Sequence, residues 1–424
     1  MRNVGLCPLC HELHGLDETA RVVDNAYKRE NAMNLPRMPD WMRQRRNMAG
    51  CFVILMLVVL AAFFLLRHGE DKTAWKPGMP LAKERVKIGV IHIADVTKAT
   101  SGYSYAHEVG IRAMQHVLGL NDDQIVRKQN VQDTDLAAIE HSMRQCIVQG
   151  ANIILATSWG YMGTCEKLAG EYPGVIFAHA SGNKRNLTNF TNYFGRMYQA
   201  RYLSGIIAGL RTATDHIGYV AAMGKDNSEV TGGINAFSLG VESVNPKARV
   251  HVKVTHRWFD PRGEIEAANA LIAKGCDVIT QHCDTLGPQL AAQKAGAWSI
   301  GYNSAVKDIA PQAVITSAVW NWDVYYTRLV QSVINGAFTT EPYFGGLRER
   351  MVDLTPFNER LLPAGAAEAV SAARRSIENG EFGVFEGAME ANNGRIIGAA
   401  GQRLSDAEIV NGMNWYYRNV IEVQ

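Results

Sequence analysis

The sequence predicts an α/β protein with two domains, each built on a parallel sheet that helices cover on both faces. The chain has 424 residues, of which 47% are hydrophobic, and this is enough for more than one packed core. From Arg85 onward, short β-branched runs alternate with helical stretches, which is typical of parallel sheets. The alternation occurs in two successive blocks, each about the size of one domain.

The first block opens on a β-branched run and closes on a helix whose small residues allow close packing. Its predicted strands are Val86–Ile93, Ile153–Thr157 and Val175–Ala178, and its predicted helices are Tyr105–Leu118, Ala138–Gln149, Thr164–Tyr172 and Tyr198–Arg211. The second block repeats the pattern. Its predicted strands are Ile217–Ala221, Arg249–Thr255, Val278–Thr280 and Ser299–Gly301, and its predicted helices are Gly232–Val244, Gly263–Lys274 and Gly287–Ala295.

An uncharged apolar stretch, residues 48–66, precedes both blocks. Roughly 20 apolar residues span a bilayer as a helix, so we predict one transmembrane signal-anchor here. Arginines 43, 45 and 46 lie just before it, which places residues 1–47 in the cytoplasm and the rest of the chain outside. A cleaved signal peptide is the alternative, although no small-residue cleavage site follows the run. Residues 67–84 are predicted to be a linker.

The N-terminal tail, residues 1–47, contains Cys7-Pro8-Leu9-Cys10-His11 and His14. These ligand types fit a small zinc knuckle, and an unstructured or untranslated tail is the alternative. Four cysteines lie beyond the apolar stretch, at positions 146, 165, 276 and 283. An oxidising compartment permits disulfides there, but the spacing has no scaffold pattern, so free buried thiols are an equal alternative.

Composition and motifs exclude several classes of function. The formal net charge is +2, and basic residues alternate with acidic ones, so we expect no nucleic-acid partner. No nucleophile elbow, phosphate-binding loop or metal-spaced histidine pair occurs in the exported part. We therefore expect no enzyme, no cofactor and no metal in the two domains.

The loops after the predicted strands contain aromatic rings beside polar side chains. Ligands of open parallel sheets bind beyond the carboxyl ends of the strands, and rings for stacking with a few fixed polar groups suit a planar heteroaromatic ligand. Taken singly, a Trp or Tyr at a strand end is more often a packing residue of the core or rim than a ligand contact. Recurrence in both blocks favours a binding site. The candidate residues are Tyr103, Tyr105, His107, Trp159, Trp258, Phe259, Asp284, Asn303 and Trp320.

At these loops the sequence resembles the basic membrane protein (BMP) family of solute-binding proteins of ABC transporters, from about Val86 to the C-terminus. The matching segments are Gly102–His107, Ala156–Met162, Tyr193–Tyr198, Gly233–Phe237, Trp258–Pro261, Asp277–His282 and Ser317–Trp322. The resemblance implies a type I periplasmic-binding fold with two Rossmann-like lobes, a hinge and three chain crossings. The first lobe would comprise residues 85–200, completed by about 316–345. The second would comprise 201–315, completed by about 346–424.

The resemblance also implies roles for single residues. The stacking pair of the family would fall on Tyr103 of the first lobe and Phe259 of the second. Polar contacts would fall on Asn303 and Asp284. Tryptophans 159 and 258 would line the cleft.

The resemblance implies a purine ligand, and one departure favours a free base. Trp320 stands where the nucleoside-binding branch has a ribose-holding Lys, so an adenine-like base is favoured over a nucleoside. Two further departures leave the ligand open, because many relatives have an acidic residue at Gly163 and Asp at Asn303.

The expected function is therefore an extracytoplasmic binding protein that closes on a purine base or nucleoside and docks on an ABC permease. The alternative is a membrane-anchored purine sensor that signals to a partner.

Overall fold

The computed structural model describes residues 75–424. The predicted transmembrane segment, the cysteine- and histidine-containing tail and all but the end of the predicted linker lie outside these residues. Within residues 75–424, no helix combines the length and the apolar character needed to cross a membrane.

Two sheets organise the described part of the chain. The strands are β1 Ile88–Ile91, β2 Ile125–Lys128, β3 Ile153–Ala156, β4 Ile176–Ala180, β5 Phe190–Gly195, β6 His216–Ala221, β7 Arg249–Val254, β8 Val278–His282, β9 Trp298–Tyr302, β10 Val314–Trp320, β11 Tyr343–Gly345, β12 Val352–Leu354, β13 Met389–Glu390, β14 Ile396–Ile397 and β15 Val420–Glu422. The first sheet has six strands in the order β11-β5-β4-β3-β1-β2, all neighbours parallel. The second has seven strands in the order β12-β10-β9-β8-β6-β7-β15, parallel except where β12 pairs with β10. The short strands β13 and β14 form a separate antiparallel pair.

Helices cover these sheets, and the predicted parallel α/β fold is confirmed. The helices are α1 Tyr103–Leu118, α2 Leu136–Val148, α3 Met162–Glu171, α4 Met197–Arg211, α5 Ser228–Val244, α6 Pro261–Ala273, α7 Gly287–Ala295, α8 Trp322–Ile334, α9 Ala366–Glu378 and α10 Asp406–Gly412. We call the first sheet together with α1, α2, α3 and α8 the first lobe. We call the second sheet together with the remaining helices the second lobe.

The chain passes between the lobes after β5, after β10 and after β11. Strand β10 belongs to the second sheet because it pairs with β9 and β12. The second passage therefore follows Trp320, a few residues later than the boundary predicted at about 316. The three connections lie side by side and form the hinge region.

Six of the seven predicted helices begin one to four residues earlier than predicted, and two of these starts matter for the site. Helix α5 begins at Ser228 because the Asn227 side chain accepts a hydrogen bond from the Val230 backbone N–H at 3.0 Å, a typical N-cap. Helix α1 begins at Tyr103, directly after Gly102. The strands β2 and β5 were not predicted at all.

The second lobe has a tightly packed helix pair, α4 and α5. A Cβ atom at Gly205 would lie 2.1 Å from the Phe237 carbonyl oxygen, and one at Gly240 would lie 2.1 Å from the Tyr202 carbonyl oxygen. Backbone therefore contacts backbone, as the small residues of the helix Tyr198–Arg211 predict. The four cysteines within residues 75–424 are free and buried, which decides between the two alternatives for them.

Candidate functional site

The two lobes meet where the loop after β1 faces the loop after β8. Gly102 has φ +86°, a conformation that favours glycine, and a Cβ atom there would lie 2.7 Å from the Asp284 carbonyl oxygen. The backbones of the two lobes thus touch beside the first residue of α1. This contact places Tyr103 and Asp284 next to each other at the carboxyl edges of both sheets, where ligands of such folds bind.

Three side chains around this contact line an internal space. Tyr103, Glu229 and Asp284 lie deep in the protein, so that burial raises the pKa of each. Each nevertheless keeps accessible surface, and the Glu229 side chain is 27% exposed. Side chains that are surrounded by protein and still accessible must face a cavity between the lobes.

Asp284 and Asn303 form a hydrogen-bonded pair at this cavity. The Asn303 Nδ2 donates to Asp284 Oδ1 at 2.8 Å, while Asn303 Oδ1 is buried without a hydrogen-bond partner. Asn303 has φ +65°, and its backbone N–H donates to the Ala318 carbonyl. Burial, with the nearby Glu264 and Glu229, raises the pKa of Asp284 to about 8, so this carboxyl is mostly protonated at neutral pH. The pair thus places one donor, the Asp284 O–H, beside one acceptor, Asn303 Oδ1, of which only Asp284 keeps accessible surface.

A second polar group, formed by Arg201, Glu229 and His282, was missed by the sequence analysis. The Glu229 Oε1 lies 3.5 Å from the His282 Nε2. The Arg201 guanidinium is fully buried, lies 4.2 Å from the centre of the Tyr302 ring and donates to the Gln281 carbonyl at 2.6 Å. Glu229 lies in the first turn of α5, the helix that follows β6, and the loop between them, residues 222–227, contains no aromatic residue. The strand-end rule without the aromatic requirement would have found it.

Aromatic rings form the wall behind Tyr103. His107 stacks on Trp322 with ring centroids 4.0 Å apart, and Tyr103 meets both rings edge to face at 4.4 and 6.0 Å. The His107 Nδ1 is 2.5 Å from the Tyr326 Oη, and burial lowers the pKa of His107 well below its ordinary value. His107 therefore supports Tyr103 from inside the first lobe.

Trp320 closes the hinge side of the cleft. It is buried, stacks on Trp322 at 4.7 Å, and donates its indole N–H to the Tyr302 Oη at 3.1 Å. Phe194 packs against its other side at 4.7 Å. The indole thus fills the position that the resemblance assigns to a Lys.

Other predicted site residues lie farther out. Trp159 is 54% exposed and Phe259 is 68% exposed. Trp258 is partly buried, and its carbonyl accepts the Asp284 backbone N–H at 2.8 Å. Tyr105 is two helical positions from Tyr103 and so points elsewhere on α1. The structure therefore groups Tyr103, Asp284, Asn303 and Trp320, with His107 behind them. Stacking of Phe259 against Tyr103 stays a prediction.

No metal site accompanies this cleft. Among residues 75–424, no cluster of three or more His, Cys, Asp or Glu side chains is suited to hold a metal ion.

We expect the stability of the unliganded protein to fall as pH rises from about 7 to 8. Unfolded carboxyls lose their protons near pH 4, whereas burial raises the pKa of Glu229 to about 7 and that of Asp284 to about 8. The folded state therefore binds more protons across this window, and deprotonation costs stability. Histidines 107, 179 and 282, whose pKa values burial lowers, act in the opposite direction, but only below about pH 6.5.

The urea midpoint measured against pH tests this. The double variant Glu229→Gln/Asp284→Asn should show a flat profile between about pH 7 and 8. Glu140→Gln serves as the control, because Lys167 and Arg144 hold the pKa of that partly exposed carboxyl below its ordinary value. The slope of this variant should therefore match that of the wild type. Equal slopes in all three proteins would contradict the assignment.

Gly163, where many relatives have an acidic residue, has room for a side chain. No atom lies within 4 Å of a Cβ built there, and the residue is in the first turn of α3. Gly163→Asp should raise the free energy of unfolding by about 0.5–1 kcal/mol, through helix propensity and the helix dipole. Thermal unfolding measures this. Gly170 is equally unobstructed but lies in the last turn of α3, so Gly170→Asp should gain no stability. Equal stabilisation by the two substitutions would refute the contribution of the helix dipole.

These features define a class: a two-lobed α/β protein of the periplasmic-binding type, in which the lobes face each other at the carboxyl edges of two parallel sheets. The chain belongs to the family of PnrA-like (Bmp) ABC transporter substrate-binding proteins, which residues 87–375 match. The resemblance inferred from the sequence is thereby confirmed. This family consists of substrate-binding proteins.

Relatives and solved structures agree with this assignment. The chain is 31% identical to a purine-binding protein of Brucella abortus, over 81% of this chain and 95% of the relative. It is also 31% identical to a putative ABC transporter glucose-binding protein of Haloferax volcanii, over 73% of this chain and 76% of the relative. A solute-binding protein of an ABC transporter system from Conexibacter woesei shares the fold, with a TM-score of 0.58 at 20% identity, covering 70% of this chain and 97% of that one.

Proposed function

We propose that this protein binds an adenine-like purine base between its lobes and delivers it to the permease of an ABC importer. The observation that supports this most directly is the Asp284–Asn303 pair in the cavity beside Tyr103. It offers a donor next to an acceptor, and each edge of adenine presents an acceptor next to a donor. The exocyclic amino group and the adjacent ring nitrogen N7 are one such pair.

The fit is energetically meaningful because the pair is buried. A buried donor or acceptor that a ligand leaves unmatched costs about 1–3 kcal/mol, so the Asn303 Oδ1 acceptor and the Asp284 O–H donor together discriminate against a wrong edge. Tyr103 supplies a ring for stacking on a flat ligand, worth about 0.5–1.5 kcal/mol beyond area burial. In the proposed closed complex, Phe259 moves in from the second lobe and covers the other face, while Trp159 and Trp258 border the entrance.

Trp320 supports a free base over a nucleoside. Its indole is enclosed by Phe194 and Trp322 and bonded to Tyr302, so it occupies volume and presents no charged group to ribose hydroxyls. A nucleoside would need this indole to leave a packed position, which costs burial and a hydrogen bond.

The proposal also covers location and delivery. We place the binding domain on the extracytoplasmic side of the inner membrane, tethered through residues 48–66, as the arginines before that segment indicate. Membership of a family of transporter substrate-binding proteins favours delivery to a permease over signalling as a sensor.

Calorimetry on the purified full-length chain tests the ligand class. Adenine should bind at least about tenfold more tightly than adenosine, a difference of about 1.4 kcal/mol, and D-glucose, chosen because one relative is named for it, should give no heat. Absence of binding by adenine, hypoxanthine, guanine and their nucleosides would refute the purine proposal. Mass spectrometry of the ligand that co-purifies with the protein is an independent check.

A further inference from the structure

A second polar group faces the same cavity, and neither the names of the relatives nor the family resemblance assigns it a role. It consists of Glu229 in the first turn of α5, His282 at the end of β8 and Arg201 in α4. The three residues come from separate elements of the second lobe. Only Glu229 keeps accessible surface, so it is the member that can touch a ligand.

Several polar atoms behind Glu229 have no hydrogen-bond partner. These buried atoms are the Arg201 Nε and Nη2 and the His282 Nε2. A buried unsatisfied polar atom costs about 1–3 kcal/mol, so an arrangement with several of them is unfavourable for folding alone. The Tyr219 Oη lies 3.3 Å from the His282 Nδ1, which leaves the Nε2 free to interact with Glu229.

Opposing effects act on the protonation of Glu229. Burial favours the neutral carboxyl, whereas Arg201 and the N-terminus of α5 favour the carboxylate. The result is a pKa of about 7, so both forms are populated near neutrality. The ionisable and charged groups facing it from the surrounding elements are Tyr103 of α1, Arg201 of α4, Tyr219 of β6, His282 of β8, Asp284 after β8 and Tyr302 of β9.

We propose that Glu229 is a ligand-contacting residue that determines which purine base is bound, by reading the hydrogen-bonding edge next to the one that Asp284 and Asn303 read. This inference rests on the proposed purine ligand. A neutral carboxyl presents one donor and one acceptor and so pairs with an edge that alternates them, as in adenine. A carboxylate presents two acceptors and so pairs with two adjacent donors, as on guanine, whose ring N–H lies beside its amino group.

The preference for adenine over guanine should therefore decrease as pH rises. Ligand affinity scales with the fraction of the binding-competent form. Between about pH 6 and 7.5, Glu229 passes from mostly neutral to mostly ionised, so the ratio of the two dissociation constants should shift towards guanine by at least about fivefold. Asp284 stays mostly protonated over this range.

Calorimetry with adenine and with guanine at micromolar concentration, on the full-length chain at both pH values, tests this inference. Glu229→Gln keeps one donor and one acceptor at any pH, so it should hold the adenine preference constant. Glu229→Ala should weaken adenine binding about tenfold or more at pH 6. Circular dichroism shows whether each variant is folded.

Glu242→Gln is the matched control, because Glu242 lies on the same helix and pairs with Arg418 at 3.0 Å, away from the cleft. It should behave as wild type. A wild-type protein that binds a purine with a pH-independent preference, or a Glu229→Gln variant identical to wild type, would overturn the role of Glu229 alone. A wild-type protein that binds no purine base would overturn the proposed function and this inference together.

Discussion

Replacing Gly102 by Val should abolish lobe closure and weaken adenine binding by at least about 100-fold. A Cβ atom at this position would lie 2.7 Å from the Asp284 carbonyl oxygen, which is closer than van der Waals contact permits, and this oxygen belongs to the backbone and cannot turn aside as a flexible side chain could. The contacts of one lobe with the ligand would then be lost, and two or three such contacts amount to about 3 kcal/mol.

Calorimetry measures the loss of affinity, and small-angle scattering measures whether adenine still reduces the radius of gyration. Gly365→Val is the matched control, since Gly365 also has a positive φ, +75°, but no atom within 4 Å of its Cβ position. The control therefore separates the cost of placing valine at a positive φ from the steric clash between Gly102→Val and Asp284. A Gly102→Val protein that binds and contracts like the control would contradict the closure argument.

Replacing Arg201 by Ala should destabilise the protein by about 3 kcal/mol or more. Arg201 is among the largest fully buried side chains, so truncation leaves a void beneath the Tyr302 ring and removes the donor to the Gln281 carbonyl. Large-to-small core substitutions cost about 2–5 kcal/mol, and the orphaned carbonyl adds to this. Urea unfolding measures the effect.

Two further variants show where the effect of Arg201 comes from. Arg211→Ala, on the same helix and stacked on Trp298 at 3.7 Å, should cost only about 1 kcal/mol, because that guanidinium is partly exposed. Arg201→Met refills the volume without a charge and should recover most of the stability, while the pKa of Glu229 rises. Equal losses of stability in Arg201→Ala and Arg211→Ala would contradict the structural role assigned to Arg201.

The pattern of apolar residues predicted much of the fold, because the interior strands are continuous apolar runs. Strands β1, β3 and β6 were placed to within a few residues for this reason. The edge strand Ile125–Lys128 was missed because half of it is basic, and Phe190–Gly195 because Thr and Asn interrupt its aromatic pattern. Both strands contain β-branched or aromatic residues, but their polar residues break the apolar pattern, and pairing with their neighbours in the sheet specifies them.

The candidate site was predicted in part, for a related reason. Asp284 and Asn303 follow β8 and β9 within two residues, Trp320 ends β10, and Tyr103 begins the helix after β1. All four lie at the carboxyl ends of strands, so the topological rule placed them. Arg201 was missed because it sits inside an apolar helix, where its burial depends on Tyr302 from a strand about 100 positions later. Glu229 was missed because the loop after β6 contains no aromatic residue, and the strand-end rule required one beside each polar candidate.

The stack of Trp320 on Trp322 makes the relative motion of the two lobes detectable by optical spectroscopy. Trp320 ends a strand of the second lobe and Trp322 begins a helix of the first, so the face-to-face indoles, 4.7 Å apart and 16° from parallel, straddle one hinge connection. Transitions of two aromatic rings held this way couple to each other, and the coupling depends steeply on their separation and angle. Rotation of the lobes would therefore change the near-ultraviolet circular dichroism and the tryptophan emission, so that opening and closing can be followed in real time without an attached dye.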